Sequence, residues 1–174
     1  MGRASGTVIN GGTEIVNING SELSAAVNSG GFLLVNSRGF LASATISSGL
    51  VEVASSLNNG SLVSFASGGG GTVQFDSAVT EAFFGVFVSG FALGDFIDFR
   101  AVGFTSGATS ATWAQSGPSG TLTVSSGSTS ANISLIGQYM TTNFTLSSDL
   151  HGGTVVAYQP VVPQTDLLTN PHST

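Results

Sequence analysis

A turn dipeptide recurs every nineteen residues: Asn10-Gly11, Ser29-Gly30, Ser48-Gly49 and Ser67-Gly68. Between two of them runs "NSGGFLLVNSRGFLASATISSGL" (28–50), with no Lys, Cys, His or carboxylate. Written in registers starting at Gly12, Gly31 and Leu50, the chain aligns apolar as well as turn positions. Ile15, Leu34, Val53 and Thr72 fall in one column, and Val16, Val35, Ala54 and Val73 in the next. Val8, Val27, Ile46 and Phe65 form a third, and Asn17, Asn36, Ser55 and Gln74 a polar fourth. In the third register Gly60 lies two places later than Gly20 and Gly39, so that turn is expected to be rebuilt.

Self-similarity at a fixed period of this length predicts a solenoid. Each period offers two short strand-like runs separated by Gly, Asn and Ser, residues that accept tight turns and positive φ. One such circuit cannot bury its own apolar side. Stacked circuits can, with backbone pairing from coil to coil and like side chains piled into ladders. The expected fold is therefore all-β: a β-solenoid (β-helix) with nineteen-residue coils over 1–75. Val8, Val27, Ile46 and Phe65 are expected to form an inward core ladder. Asn17, Asn36, Ser55 and Gln74 are expected to form an amide ladder that satisfies its own hydrogen bonds.

After Phe75 the beat fades, and eight of the twelve Phe fall between Phe75 and Phe104. Strand candidates follow between turns: "ATWAQ", "GTLTVSSG", "SANISLIG", "NFTLSS" and "GTVVAY". Gln138 to Thr142 is expected to make at most one turn of helix. Residues 76–159 read as a Phe-rich β continuation that caps the stack, since an exposed sheet edge is normally closed. Residues 160–174, with three prolines and no pattern, read as a disordered tail or export signal.

Composition narrows the function classes. Only 7% of the 174 residues are charged, Lys is absent, and net charge is -6. Nucleic acid is not an expected partner. No apolar run reaches transmembrane length, so membrane insertion is not expected. Cysteine is zero, which removes disulfide and thiolate chemistry. No basic stretch followed by an apolar run opens the chain, so export, if any, is expected to bypass a cleaved N-terminal signal.

The repeats "GGTEIVNINGSELSAAVNSGG" and "GGFLLVNSRGFLASATISSG" resemble those of AIDA-type autotransporter passenger adhesins. "VSGFALGDFIDF", "GTLTVSSGSTSANISLIGQY" and "NFTLSSDLHGGTVV" resemble the module that follows such repeats in large bacterial proteins exported through type I systems. Together the likeness covers about residues 6–158. It implies an extracellular bacterial surface or matrix protein that adheres or scaffolds, exported with an uncleaved C-terminal signal. The calcium-binding nonapeptide repeats common in such proteins are missing: "GGGGTVQFD" has the glycines without the Gly-x-Asp placement.

Candidate chemistry is sparse. Asp95 and Asp98 in "GDFIDF" are the tightest carboxylate pair. Their odd spacing sends them to opposite faces of a strand, although a bend would allow one Ca²⁺, which takes six to eight oxygens. The plainer reading is turn capping at Asp95 and an exposed edge charge at Asp98, with calcium dispensable for folding. Asp149 and His151 form the one short-range carboxylate–His pair, and a Gly-flanked turn explains them without acid–base work. No zinc set, nucleophile elbow or phosphate loop is present.

Glu14 and Glu52 share a column with Leu33 between them, about 10 Å apart at ~4.8 Å per coil. The expectation is a non-catalytic structural or adhesive protein whose partner is itself, end to end as a homo-oligomer or filament, or a cell-surface or matrix polysaccharide. The alternative is a carbohydrate-binding or carbohydrate-active β-helix. A clustered carboxylate pair beside an aromatic cleft would favour the alternative.

Overall fold

The computed structural model describes residues 2–54, 60–77 and 86–161, and these form a β-solenoid. Ser55, Phe83, Phe84 and residues 162–174 of the expected tail lie outside the described part. The first coil holds β1 (Arg3–Ala4), β2 (Thr7–Ile9) and β3 (Thr13–Val16). The second holds β4 (Ser21–Glu22), β5 (Ala25–Val27) and β6 (Phe32–Val35). The third holds β7 (Phe40–Leu41), β8 (Ser43–Ile46) and β9 (Leu50–Val53). Above them lie β10 (Ser61–Phe65) and β11 (Thr72–Phe75), then β12 (Val86–Ser89) and β13 (Phe96–Phe99).

Each strand pairs in parallel with its counterpart one coil away, giving three sheets along the stack. Parallel stacking thus continues to Phe99, beyond the point where the nineteen-residue beat fades. The upper end is closed by antiparallel strands. β14 (Ser110–Ser116), β15 (Ser119–Ser126) and β16 (Thr129–Ile136) form a meander docked on β12. A single 3-10 turn (Thr141–Asn143) then leads into β17 (Phe144–Ser148) and β18 (Thr154–Tyr158), which dock on β13. The meander turns are two residues long and start at Gly117 and Gly127, at φ 61° and 59°, the positive φ that such hairpins demand.

The ladders correct the column assignments. Val8 does not join Val27, Ile46 and Phe65. Ile9 does, because Thr7, Val8 and Ile9 pair with Ala25, Ala26 and Val27. Ile9 to Val27 is eighteen residues, and a one-residue slip turns every side chain to the opposite face. Val8 accordingly points outward and is 59% exposed, while Ile9 is buried. Gln74 likewise leaves the Asn17–Asn36 column and pairs with Glu52, which pairs with Leu34. Val53 and Phe75, rather than Ala54 and Val73, extend the Val16–Val35 column.

The cause lies in the corners. The one between β5 and β6 has four residues (28–31), the one between β8 and β9 has three (47–49), and the one between β10 and β11 has six (66–71). The short corner is closed by Ser48 at φ 147°. Asn36 Nδ2 donates to Asn17 Oδ1 at 2.8 Å, and a second amide pair joins Asn28 Nδ2 to Asn10 Oδ1 at 2.7 Å.

Gly49 shows why glycine ends a corner. A Cβ there would lie 2.5 Å from Val27 Cγ1 and 2.7 Å from the Asn28 carbonyl oxygen of the coil below. Only a residue with no side chain lets the chain turn this close to its neighbour.

Inside the stack, Leu33, Val51, Val73, Ile97 and Val156 form one fully buried row, and Val16, Val35, Val53, Phe75 and Phe99 a second buried row. Aromatics fill the upper end. Phe75 stacks on Phe99 with ring centroids 5.7 Å apart; Phe91 tilts over Phe65 and stacks on Phe144, and Trp113, Tyr139 and Tyr158 pack edge-to-face or tilted around them.

The slipped register makes a sharp stability test. Ile46→Ala, at a fully buried position, is expected to cost about 2–4 kcal/mol. Val8→Ala is expected to change stability by less than about 0.5 kcal/mol. Urea unfolding of the two variants measures both; equal costs would return Val8 to the core.

Candidate functional site

Two groups of titratable side chains stand out from this weakly charged chain. The first lies at the open lower end. In the first two coils, inward positions that are apolar in the coils above carry polar groups. On the first coil Glu14 occupies the row of Leu33 and Val51, and Thr7 that of Ala25 and Ala44; on the second, Glu22 lies between Ala4 below and Leu41 above. Glu22 is fully buried; its Oε2 accepts from Thr7 Oγ1 at 3.0 Å and its Oε1 from the Ser24 backbone N–H at 2.8 Å.

Glu14 Oε2 is shielded from solvent and has no donor of its own. It faces Glu22. Burial, the hydrogen bond with Glu22 and the charge of Glu22 push Glu14 up to about 7, against a smaller opposing pull from Thr7. Ionising Glu14 beside Glu22 is therefore costly, since two carboxylates in contact do not both ionise cheaply. A cavity of about 430 Å³ opens beside it, lined among others by Arg3, Glu14, Ile15, Asn17 and Ile18.

The second group lies on the outer face of the sheet containing β9, β11 and β13. Glu52, Gln74 and Asp98 stack on consecutive coils. Asp76 and Arg100 follow the strand ends beside them, with the Arg100 N–H bonded to the Phe75 carbonyl and the Asp76 N–H to that of Val53. Asp149 and His151 come from the turn between β17 and β18.

Asp98 is 7% exposed, and its Oδ1 has no hydrogen-bond partner. Burial first, then the charge of Asp149, raises it to about 6, with Arg100 pulling the other way. Glu52 is also raised, by burial and then by its hydrogen bond and repulsion with Asp76. Asp149 is lowered: burial opposes ionisation, but the His151 and Gly153 backbone N–H groups, both 2.7 Å from Oδ1, together with Arg100, outweigh it. Arg100 Nε lies 3.5 Å from Asp149 Oδ2.

The expected pairings fare differently. Asp95 and Asp98 are not brought together. Asp95 accepts the Ala92 N–H at 3.0 Å and closes the corner before β13, where burial raises its pKa against the pull of backbone N–H groups. Asp98 is no exposed edge charge but a buried carboxyl, because β18 lies alongside β13 and pairs Val155 with it. His151 and Asp149 do meet, yet the ring Nδ1 contacts the Asp149 backbone oxygen at 2.9 Å, while the carboxylate holds the turn. Glu14 and Glu52 fall in different rows.

The Glu14–Glu22 pair was legible only as two carboxylates in columns that turn apolar one coil later. Among the described residues, no three His, Cys, Asp or Glu side chains converge to hold a metal ion. The aromatic cluster sits at the upper end, far along the stack from Glu14 and Glu22; the carboxylate bearing on it is Asp95, beside Tyr139. No family model, curated protein or solved structure matches the chain.

Asp98 gives a pH signature. Its folded pKa, about 6, lies above the ordinary 3.8, so its stabilising proton is fully held below about pH 4. That contribution is lost as pH rises through 6. Asp98→Asn is therefore expected to match the parent near pH 4 and to exceed it above pH 6, by on the order of 2 kcal/mol. Denaturant titrations at pH 4 and 8 check this, and a variant less stable at pH 8 contradicts the assignment.

Proposed function

We propose that this chain is a non-catalytic structural or adhesive module of a bacterial surface or biofilm matrix, acting outside the cell, and that it joins other β-structure through its lower end. The observation that carries this reading is the unpaired edge of the first coil. β1, β2 and β3 each end their sheet, with no strand on the outer side among the described residues.

The hydrogen-bond directions define what that edge offers. Thr7 donates to Ser24 and Ile9 accepts from Asn28, so both face the second coil. Val8, between them, turns its N–H and C=O outward. Gly12 and Val16 accept from Phe32 and Asn36 in the same way, which leaves the N–H and C=O of Ile15 outward as well. A row of unpaired backbone groups is a template for another strand. The resemblance to adhesin repeats, the low charge and the Ser-, Thr- and Asn-rich lateral faces support an extracellular scaffold.

The second reading, a carbohydrate-binding or carbohydrate-active β-helix, is favoured by one observation: the Glu52–Gln74–Asp98 row lined across neighbouring coils, with Arg100 beside it. Burial of Gln74 and Asp98 weighs against it, because a sugar must reach the acid.

Proline on the edge decides the matter. Val8→Pro with Ile15→Pro removes two outward N–H groups without touching the bonds to the second coil, a place where edge strands tolerate proline. The parent is expected to associate in sedimentation velocity, and the double variant to sediment as a monomer with an unchanged melting curve. Equal association of both would overturn the reading. Polysaccharide turnover abolished by Asp98→Asn would replace it with the second.

A further inference from the structure

We propose that the corner between β2 and β3 modifies itself: the Gly11 backbone nitrogen attacks the side-chain amide of Asn10, and Asn28 supplies the hydrogen bond that assists the attack. Position 10 becomes aspartate or isoaspartate, with loss of ammonia and uptake of water.

Three features meet at Asn10. The nucleophile is free, because the Gly11 N–H has no acceptor among the described residues. Gly11 sits at φ 71°, and a Cβ placed on it would meet nothing within 4 Å, so its backbone has room to swing toward the side chain. The electrophile is polarised, because Asn28 Nδ2 of the coil above donates to Asn10 Oδ1 at 2.7 Å. Attack at Cγ turns Oδ1 into an oxyanion, and a donor already aimed at that oxygen stabilises the charge as it develops. The leaving group is free too, since Asn10 Nδ2 has no acceptor among the described residues.

The free Gly11 N–H belongs to the corner rather than to its level in the stack. Gly30 lies over Gly11, with coils on both sides, and its N–H is equally without an acceptor. Among the described residues no other asparagine combines these features. Asn17 has the same kind of donor, Asn36 Nδ2 at 2.8 Å, but is followed by Ile18, whose β-branched side chain crowds the attacking nitrogen. Asn19 is followed by Gly20, but the Gly20 N–H already donates to the Asn17 carbonyl at 2.8 Å, and the Asn19 N–H is held by the Arg38 carbonyl.

The step balances without a redox partner. Solvent base takes the Gly11 proton, the N–Cγ bond forms, the Cγ–Nδ2 bond breaks, and the amide leaves as ammonia, closing a cyclic imide. Water then opens the ring. Opening at Cγ leaves aspartate. Opening at the Asn10 backbone carbonyl routes the main chain through the side chain and leaves isoaspartate. That form adds a methylene to the main chain of a corner of only three residues (10–12).

The test incubates the full chain, native and in urea, at mildly alkaline pH, where the attacking nitrogen loses its proton more readily. Cleavage after Glu14 and Glu22 puts Asn10 and Asn19 on separate peptides, and isoaspartate in each is counted by enzymatic methyl transfer. The native chain is expected to form isoaspartate at Asn10 and not at Asn19, while in urea both form it. Asn28→Ala and Asn28→Asp remove the donor. Both are expected to slow the native reaction at Asn10 about 3–10-fold, the worth of one hydrogen bond, with no effect in urea. Asn19 reports folding within the same sample, because a variant that has unfolded reacts there as well. A native chain that does not react at Asn10, or reacts equally at Asn19, overturns the choice of site. A rate at Asn10 that is unchanged or faster in the folded Asn28 variants overturns the assistance.

Discussion

Coil-to-coil backbone pairing is the constraint from which the rest of the molecule follows. The Asn28, Ser47 and Ala66 N–H groups reach the carbonyls of Ile9, Val27 and Ile46 at 2.9, 2.9 and 2.8 Å. These bonds fix a level-by-level register, and the register decides which side chain faces inward. A chain with so few charges has little else with which to specify a unique structure. Its specificity comes from hydrogen-bond direction and from the matched bulk of Val, Ile, Leu and Phe in the rows.

The solenoid was legible in the sequence because the strands between corners keep their lengths while turn residues mark their ends. The register was legible only to within a residue. Val27, Ile46 and Phe65 keep a strict nineteen-residue interval, and their row can be read directly. Val8 was placed in that row by counting, and counting fails where a corner is shorter, as it is between Ile9 and Thr13. Gln74 was misplaced for the same reason, across the longer corner before β11. Corner length costs the fold little, since each added loop residue costs only a fraction of a kcal/mol, so periodicity in sequence is a looser rule than pairing in space.

The two polar groups illustrate a different limit. Asp98 sits in a strand pattern that looks half exposed, and its burial comes from β18, more than fifty residues later and running antiparallel. No local pattern carries that information. Glu22 is buried and Glu14 half-buried by neighbours close in sequence, yet their meeting depends on where the corner near Asn17 and Asn19 returns the chain. Ionisable groups at inward positions of the first two coils do what polar end repeats do in other solenoids: they finish an apolar column without exposing it.

The mixed pairing has a consequence for how the molecule assembles itself. The β14–β15–β16 meander closes through two-residue turns, so its contacts are local in sequence and quick to form. Each parallel coil, by contrast, must close a loop of eighteen or more residues before its first bond is made. On sequence locality the upper end is the expected nucleus, with the coils adding to it one level at a time and the first coil joining last. The outer edge of the first coil is thus where opening of the stack is expected to begin.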